Sequence, residues 1–387
     1  MINFFEEAKK IHNEMIKYRR YLHMYPEVDR QLFNTANYVE NILKHLNINY
    51  KRYDNCGIIA EIGSGNNIIA LRADMDALTV EDKKNVTYKS RNNGLMHACG
   101  HDAHTSILLG SAILLKKFEK RLNGKVRLIF QPAEETDGGA KDMIKLGALD
   151  NVNFICGLHV EENLDTGIIG INKGIVSAAS NPFNILIKGK GAHGAHPEDG
   201  IDPIVIAAKI IDNTQIILSR EISPFNSAVI TFGKISGGTA QNAIAEDVFI
   251  EGIIRTLGND IRKKILERFT TIVKSTAEMY RGSVQINIVE GYPSFKNDDS
   301  LFELMKKIYI KNENYFKLIE LENPSMGVED FAYYTEKVPG LYYKLGCRNK
   351  EKGIYHPAHG SYFDIDEDCL WIGCGLQCSI VAEYIIK

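Results

Sequence analysis

The sequence predicts an α/β chain, a mixed and mostly parallel sheet flanked by helices, interrupted by an inserted ferredoxin-like α+β domain. Two observations carry this. At both ends of the chain short apolar runs alternate with helical stretches, the order that yields parallel strands joined by crossover helices. Between them, residues 178–290 follow a β-α-β-β-α-β order, the split unit of ferredoxin-like domains. A chain of 387 residues also exceeds what one core usually serves. Two domains are therefore expected, residues 1–177 plus 291–387, and residues 178–290.

The elements follow in order. Residues 4–24 and 33–47 repeat apolar side chains at helical spacing. GIIAEIG, NIIALRAD, KVRLIFQPAEE and NFICGLHV read as strands, and HTSILLGSAILLKKF between them as a helix with a long apolar stripe. In the insert, PFNILIKGKGAHGAHP is a strand and turn and DPIVIAAKIIDNTQIILSR a helix. SAVITFGKISGG and DVFIEGIIRTL form a strand pair, followed by the helix DIRKKILERFTTIVKSTAEMY and the strand SVQINIVEG. The chain resumes with the helix SLFELMKKIYIK, the strand PGLYYKLG and a closing helix, DEDCLWIGCGLQCSIVAEYII. Ligands of such sheets bind beyond the carboxyl ends of the strands, so the polar residues just after these runs are where chemistry is expected.

Composition narrows the partners. Lys+Arg 46 against Asp+Glu 49 gives a formal charge of -3, with the basic residues scattered. Neither nucleic acid nor an acidic membrane surface is favoured. The longest apolar stretch is interrupted by Lys209, Asp212, Asn213 and Gln215, too polar to span a bilayer. The N-terminus lacks the pattern of a signal peptide. Seven cysteines without framework-like spacing indicate reduced thiols, and cytoplasm is the expected compartment. Cys374 and Cys378 read as packing residues.

Five local features can carry chemistry. GLMHACGHDAH gathers His97, Cys99, His101, Asp102 and His104. Thiolate and imidazole suit zinc, and cobalt, nickel or manganese where carboxylates join them; buried thiols with hydrogen-bonded histidines are the plain alternative. The strand RLIFQPAEE runs into Glu134–Glu135. Two adjacent carboxylates repel unless a cation intervenes, although an exposed acidic helix start explains them equally well. His159 ends an apolar run, and His356 and His359 lie in a polar loop; each could simply bond a backbone carbonyl. Asp74 and Asp76 end a strand, where carboxylates can orient ligating imidazoles.

LRADMDAL, MHACGHDAH, FQPAEE, GLHV and a late His before YFDIDE occur in this order with this spacing. The set closely resembles the amidohydrolase branch of the two-metal aminopeptidase–carboxypeptidase clan, which includes hippurate hydrolases, auxin-conjugate hydrolases and N-acetylcysteine deacetylases. The likeness runs along essentially the whole chain, including GKGAHGAHP, GGTAQNAIAE and EGIIRTL in the insert, and GVEDF at 327–331. It implies a zinc-peptidase-like fold with the insert as a lid. It further implies two divalent metal ions (zinc, manganese, cobalt or nickel) held by Cys99, His101, Glu135, His159 and His359, with Cys99 bridging.

By the same resemblance Glu134 is the general base, Asp76 the orienting carboxylate with Asp74 beside it, and His193 a donor to the oxyanion, from its own lid or that of a partner subunit. Asn242 and Arg255 would hold the substrate's free carboxylate, and the lid would form a homodimer. Thr79, Ala245 and Glu198 depart from the family pattern; the first two touch loop stiffness, and the third bears on lid contacts. The expected reaction is hydrolysis of an N-acyl amino acid. A dipeptidase or carboxypeptidase is the near alternative and a catalytically silent metal-binding scaffold the remote one.

Overall fold

A computed structural model describes residues 2–54, 56–136 and 138–386. The chain divides into two compact units, one of Met1–Val176, Lys296–Asn323 and Asp330–Lys387, the other of Ser177–Phe295 and Pro324–Glu329. Residues 324–329, which the sequence groups with the first unit, thus belong to the second.

The first unit opens with α1 (Phe4–Lys10), α2 (His12–Met24) and α3 (Phe33–His45). The single helix expected over residues 4–24 breaks at Ile11, whose N–H closes onto the Ala8 carbonyl three residues back, a tight last turn. There follow β1 (Asn49–Arg52), β2 (Ile58–Gly63), β3 (Ile68–Asp74), α4 (His101–Lys117), β4 (Lys125–Gln131), α5 (Gly139–Lys145), β5 (Val152–Asp165), β6 (Ile168–Ile171) and β7 (Ile175–Ser177).

The second unit contains β8 (Ala179–Lys188), β9 (Ala192–His193), α6 (Pro203–Ile216), β10 (Ala228–Gly237), β11 (Ala243–Ile244), β12 (Asp247–Thr256), α7 (Asn259–Met279) and β13 (Ser283–Ile288). The chain returns through β14 (Phe295–Lys296) to α8 (Asp299–Asn312), β15 (Lys317–Glu320), α9 (Ala332–Thr335), β16 (Gly340–Arg348) and α10 (Cys369–Ile385).

The first unit is built on an eight-stranded sheet of order β1-β2-β4-β3-β5-β16-β6-β15. β3 pairs in parallel with β4 and β5, β16 with β5, and β15 with β6. The β1–β2, β2–β4 and β6–β16 pairs are antiparallel. β3 is buried along its whole length, as a central strand covered on both faces must be. Its register sets Asp74 beside Gln131 of β4 and Arg72 beside Gly157 of β5. The carboxyl ends of β3 and β4 therefore bring Asp74 and Glu134 to one edge, beside His159 within β5.

In the second unit the sheet order is β10-β12-β8-β13, every pair antiparallel. Phe183, Ile185 and Ile187 of β8 pack with Ile210 of α6 and Phe269 and Val273 of α7. The βαββαβ order read from the sequence is thus the order found. Among the described residues no helix is long and apolar enough to cross a membrane.

Candidate metal centre

Each ligand-type side chain reaches the sheet edge by a local backbone device. Cys99 and His101 flank Gly100, which caps α4 at φ +86; a Cβ there would lie 2.3 Å from Val160 Cγ2. Only glycine combines that handedness with so close an approach. Beyond β4, Ala133 adopts φ +58 and turns the chain so that Glu134 is buried while Glu135 stays partly open. His159 sits within β5. His359, at φ +63, is tied to the Cys99 segment by its own N–H, which donates to the Ala98 carbonyl at 2.8 Å.

The side chains converge without bonding one another well. Glu135 Oε1 lies 3.8 Å from His101 Nε2 and 3.6 Å from His359 Nε2. Cys99 Sγ lies 3.3 Å from His159 Nε2. Among the described residues five sets of ligand-type atoms are close enough to share an ion; Cys99–His101–His159 and Cys99–Glu135–His359 have Cys99 in common, and another joins His101 to both Glu134 and Glu135. Both ring nitrogens of His101, Glu135 Oε1 and Asp76 Oδ1 are buried without a hydrogen-bond partner. Orphaned buried acceptors are costly. A divalent cation coordinated by these atoms removes that cost, so the residues present fit a metal.

The electrostatics agree. Burial pushes the Cys99 thiol well up, a penalty that a coordinated cation reverses. Burial holds His159 well below the ordinary imidazole range, leaving it the neutral form that ligates. Burial opposes the charge on His101, yet Asp74 and then Asp76 draw it above its ordinary value.

The two aspartates have different partners. Asp76 Oδ1 faces His101 Nδ1 at 3.4 Å, and its Oδ2 accepts the Glu135 N–H at 3.0 Å. Asp74 instead accepts from His104 Nδ1 at 2.6 Å and from Arg72 at 2.6 Å. Burial would raise its pKa, but His101 and Arg72 hold it well below the usual carboxylate range. His104 Nε2 accepts the Val160 N–H at 2.9 Å, so both its ring nitrogens are engaged within the protein.

Sequence reasoning gave no role to Asp330. It is wholly buried and accepts from Arg72 at 2.7 Å, Gln131 at 2.7 Å and the Ala140 N–H at 2.9 Å, while its own N–H faces Glu134 Oε1 at 3.4 Å. The signal was there, since Asp330 is the aspartate of GVEDF itself, but nothing local tied it to Glu134.

The remaining predicted residues lie in the second unit. β9 pairs with β11, setting His193 opposite Ala243, and the Asn242 carbonyl accepts the Gly194 N–H at 2.8 Å. His193 is exposed, and its Nδ1 accepts from the Ala195 N–H at 3.1 Å, which assigns the ring proton to Nε2. Arg255, on β12, donates to the Met326 carbonyl at 2.5 Å. Among the described residues it makes no ion pair, which leaves its other donors for a ligand. His356 stacks with Tyr355 at 4.7 Å between ring centres.

The chain from residue 70 to 383 matches the model of peptidase family M20/M25/M40. It is 38% identical over 363 residues to the N-acetyl-L-cysteine deacetylase of Bacillus subtilis, covering 93% of this chain and 85% of that one. It is 36% identical over 388 residues to thermostable carboxypeptidase 1 of Saccharolobus solfataricus, covering 98% of each. Among solved structures, the Bacillus subtilis YXEP protein, described as a dinuclear metal binding peptidase from the M20 family, superposes with a TM-score of 0.85 at 31% identity, covering 97% of this chain and 98% of that one. The chain belongs to peptidase family M20/M25/M40 and is a metal-dependent amide hydrolase.

Proposed function

We propose that this enzyme hydrolyses N-acyl amino acids to a carboxylic acid and a free amino acid. The observation that carries the reading is the unequal placing of two adjacent glutamates. Glu135 aims an unpartnered oxygen at His101 and His359, whereas Glu134 is buried with its carboxylate held toward the Asp330 N–H. This asymmetry supports Glu135 as a ligand and Glu134 as the proton carrier. Cys99, His101, Glu135, His159 and His359 would hold two divalent ions, with Cys99 shared.

Such ions, when bound, acidify water and polarise the scissile carbonyl. Glu134 takes the proton from the attacking water as the new C–O bond forms, then delivers it to the amine nitrogen as the C–N bond breaks. Asp76 keeps His101 in one orientation, and Asp74 does the same for His104. His193 Nε2–H would donate to the oxyanion, from this copy or a second one. Asn242 and Arg255 would take the substrate's carboxylate, for which a planar guanidinium is suited.

Similarity to a deacetylase and to a carboxypeptidase fits a substrate with a free carboxylate beside the amide. Seven unpaired cysteines suit a reducing compartment, the cytoplasm. A second copy would pair along β10, an edge strand that exposes Val229 and Ile235.

The test is a panel of N-acetyl amino acids, N-benzoyl amino acids and dipeptides, assayed with zinc, manganese, cobalt and nickel. The N-acyl amino acids should give the highest kcat/KM. Preference for dipeptides would turn the assignment to a peptidase, and inactivity on every substrate with metal bound would turn it to a silent scaffold.

A further inference from the structure

Beneath the metal centre lies a second ionic cluster that makes no contribution of ligand atoms. Arg19 of α2 is 1% exposed and spreads its guanidinium over three carboxylates. Nε donates to Asp102 at 2.9 Å, Nη2 to Asp364 at 2.6 Å and Nη1 to Glu367 at 3.3 Å. His23, one turn on, meets the same Asp102 oxygen through Nδ1 at 2.7 Å. Its Nε2 faces Lys84 Nζ at 2.9 Å, and Lys84 also donates to the Phe363 carbonyl at 2.7 Å. Tyr88 donates to the second oxygen of Asp364 at 2.8 Å.

The two carboxylates in the middle of this cluster are the informative ones. Asp102 directly follows His101 in the first turn of α4. Asp364 lies five residues after His359, in the segment whose other end is tied to Ala98. One buried guanidinium therefore grips both stretches of chain that carry the imidazoles facing Glu135.

We propose that Arg19 is a positioning residue of the metal centre, clamping the His101 and His359 segments at a fixed separation. Buried ion pairs are poor stabilisers once desolvation is counted, and apolar replacements of similar volume are often neutral. What such a network supplies is geometry, and groups that orient metal ligands without touching the ion typically change metal affinity 10- to 100-fold, as an order of magnitude. The proposal rests on the two-metal reading above.

The test uses full-length protein and three substitutions, Arg19→Met, Arg19→Lys and Tyr88→Phe. Zinc and manganese dissociation constants are measured by chelator competition, beside the thermal midpoint of the metal-free protein. Arg19→Met should weaken the looser of the two ions by about tenfold or more, and Arg19→Lys, which keeps the charge but not the fork, should recover part of the loss. Tyr88→Phe, which deletes one hydroxyl, should weaken it several-fold and decides the matter if Arg19→Met does not fold. Metal affinities within about twofold of wild type in the folded variants, with only the metal-free midpoint lowered, would overturn the clamp and leave the two-metal reading intact. A wild type that binds no divalent metal overturns both.

Discussion

Glu134 and Glu135 share a side chain and a neighbourhood, yet their surroundings differ. Glu135 Oε1 stands between two imidazole nitrogens at 3.6 and 3.8 Å with nothing to donate to it. Glu134 is aligned by a backbone N–H, and the proposed reading gives it the proton transfers instead. Exchanging each for glutamine should separate the roles. Glu134→Gln is expected to bind metal as wild type does while kcat falls about 10²- to 10⁴-fold, the usual contribution of a general base. Glu135→Gln should lose one ion per chain, read directly by elemental analysis after dialysis. Equal metal loss in both variants would show that the two carboxylates are not divided in this way.

Two elements meet at α4, and each carries a prediction. Its N-terminal cap, Gly100, holds φ +86 with Val160 Cγ2 only 2.3 Å from where a Cβ would be. Gly100→Ala should therefore destabilise the fold by about 1–3 kcal/mol from backbone strain alone, with metal affinity falling as Cys99 and His101 are displaced; denaturant midpoints with and without metal will report both. The cluster that links α2 to α4 also contains Lys84, whose ammonium is pushed down to about 8 by burial, against attraction from Asp364. Between pH 8 and 10.5 the folded protein holds Lys84 neutral while the unfolded chain keeps it protonated. The unfolded state then binds more protons, so stability from this group rises with pH across that window, by up to about 1.4 kcal/mol per pH unit. Lys84→Met should remove this component. Urea unfolding at pH 8 and pH 9.5 tests it, and identical pH slopes for the two proteins would count against it.

For the molecule as a whole, metal binding and folding are linked. The candidate ligands come from α4, β5, the turn after β4 and the loop before α10, segments far apart in sequence that meet only in the native state. Ions that bind the native state alone stabilise it by about 2.7 kcal/mol at a hundred times their dissociation constant. Chelator should accordingly lower the thermal midpoint, and added zinc or manganese should restore it. An unchanged midpoint would indicate that no ion is bound. The proposed second copy along β10 is open to a similar check. Ile235→Glu places a charge on its exposed face and should shift sedimentation from dimer to monomer with the metal-binding unit unimpaired.

The main alternation of strands and helices, the βαββαβ insert and the candidate metal ligands were legible in the chain itself. Strand and helix periodicity is local, and Cys-x-His, the glutamate pair and the late histidine stand in recognisable surroundings. The break at Ile11 was hidden, because an apolar stripe continues through it while the backbone closes a three-residue turn. So were the membership of residues 324–329 in the second unit and the partners of Arg19, Arg72, His104 and Asp330. These depend on which side chains meet after the sheet has closed. A carboxylate such as Asp330 looks in sequence like any acidic loop residue; only the burial that sets Arg72, Gln131 and the Ala140 N–H around it makes it part of the site. The sequence by itself determined which groups are candidates to bind metal and move protons. The tertiary structure decided which of them are left without hydrogen-bond partners and which are held in place, because desolvation and register act across strands that are distant along the chain.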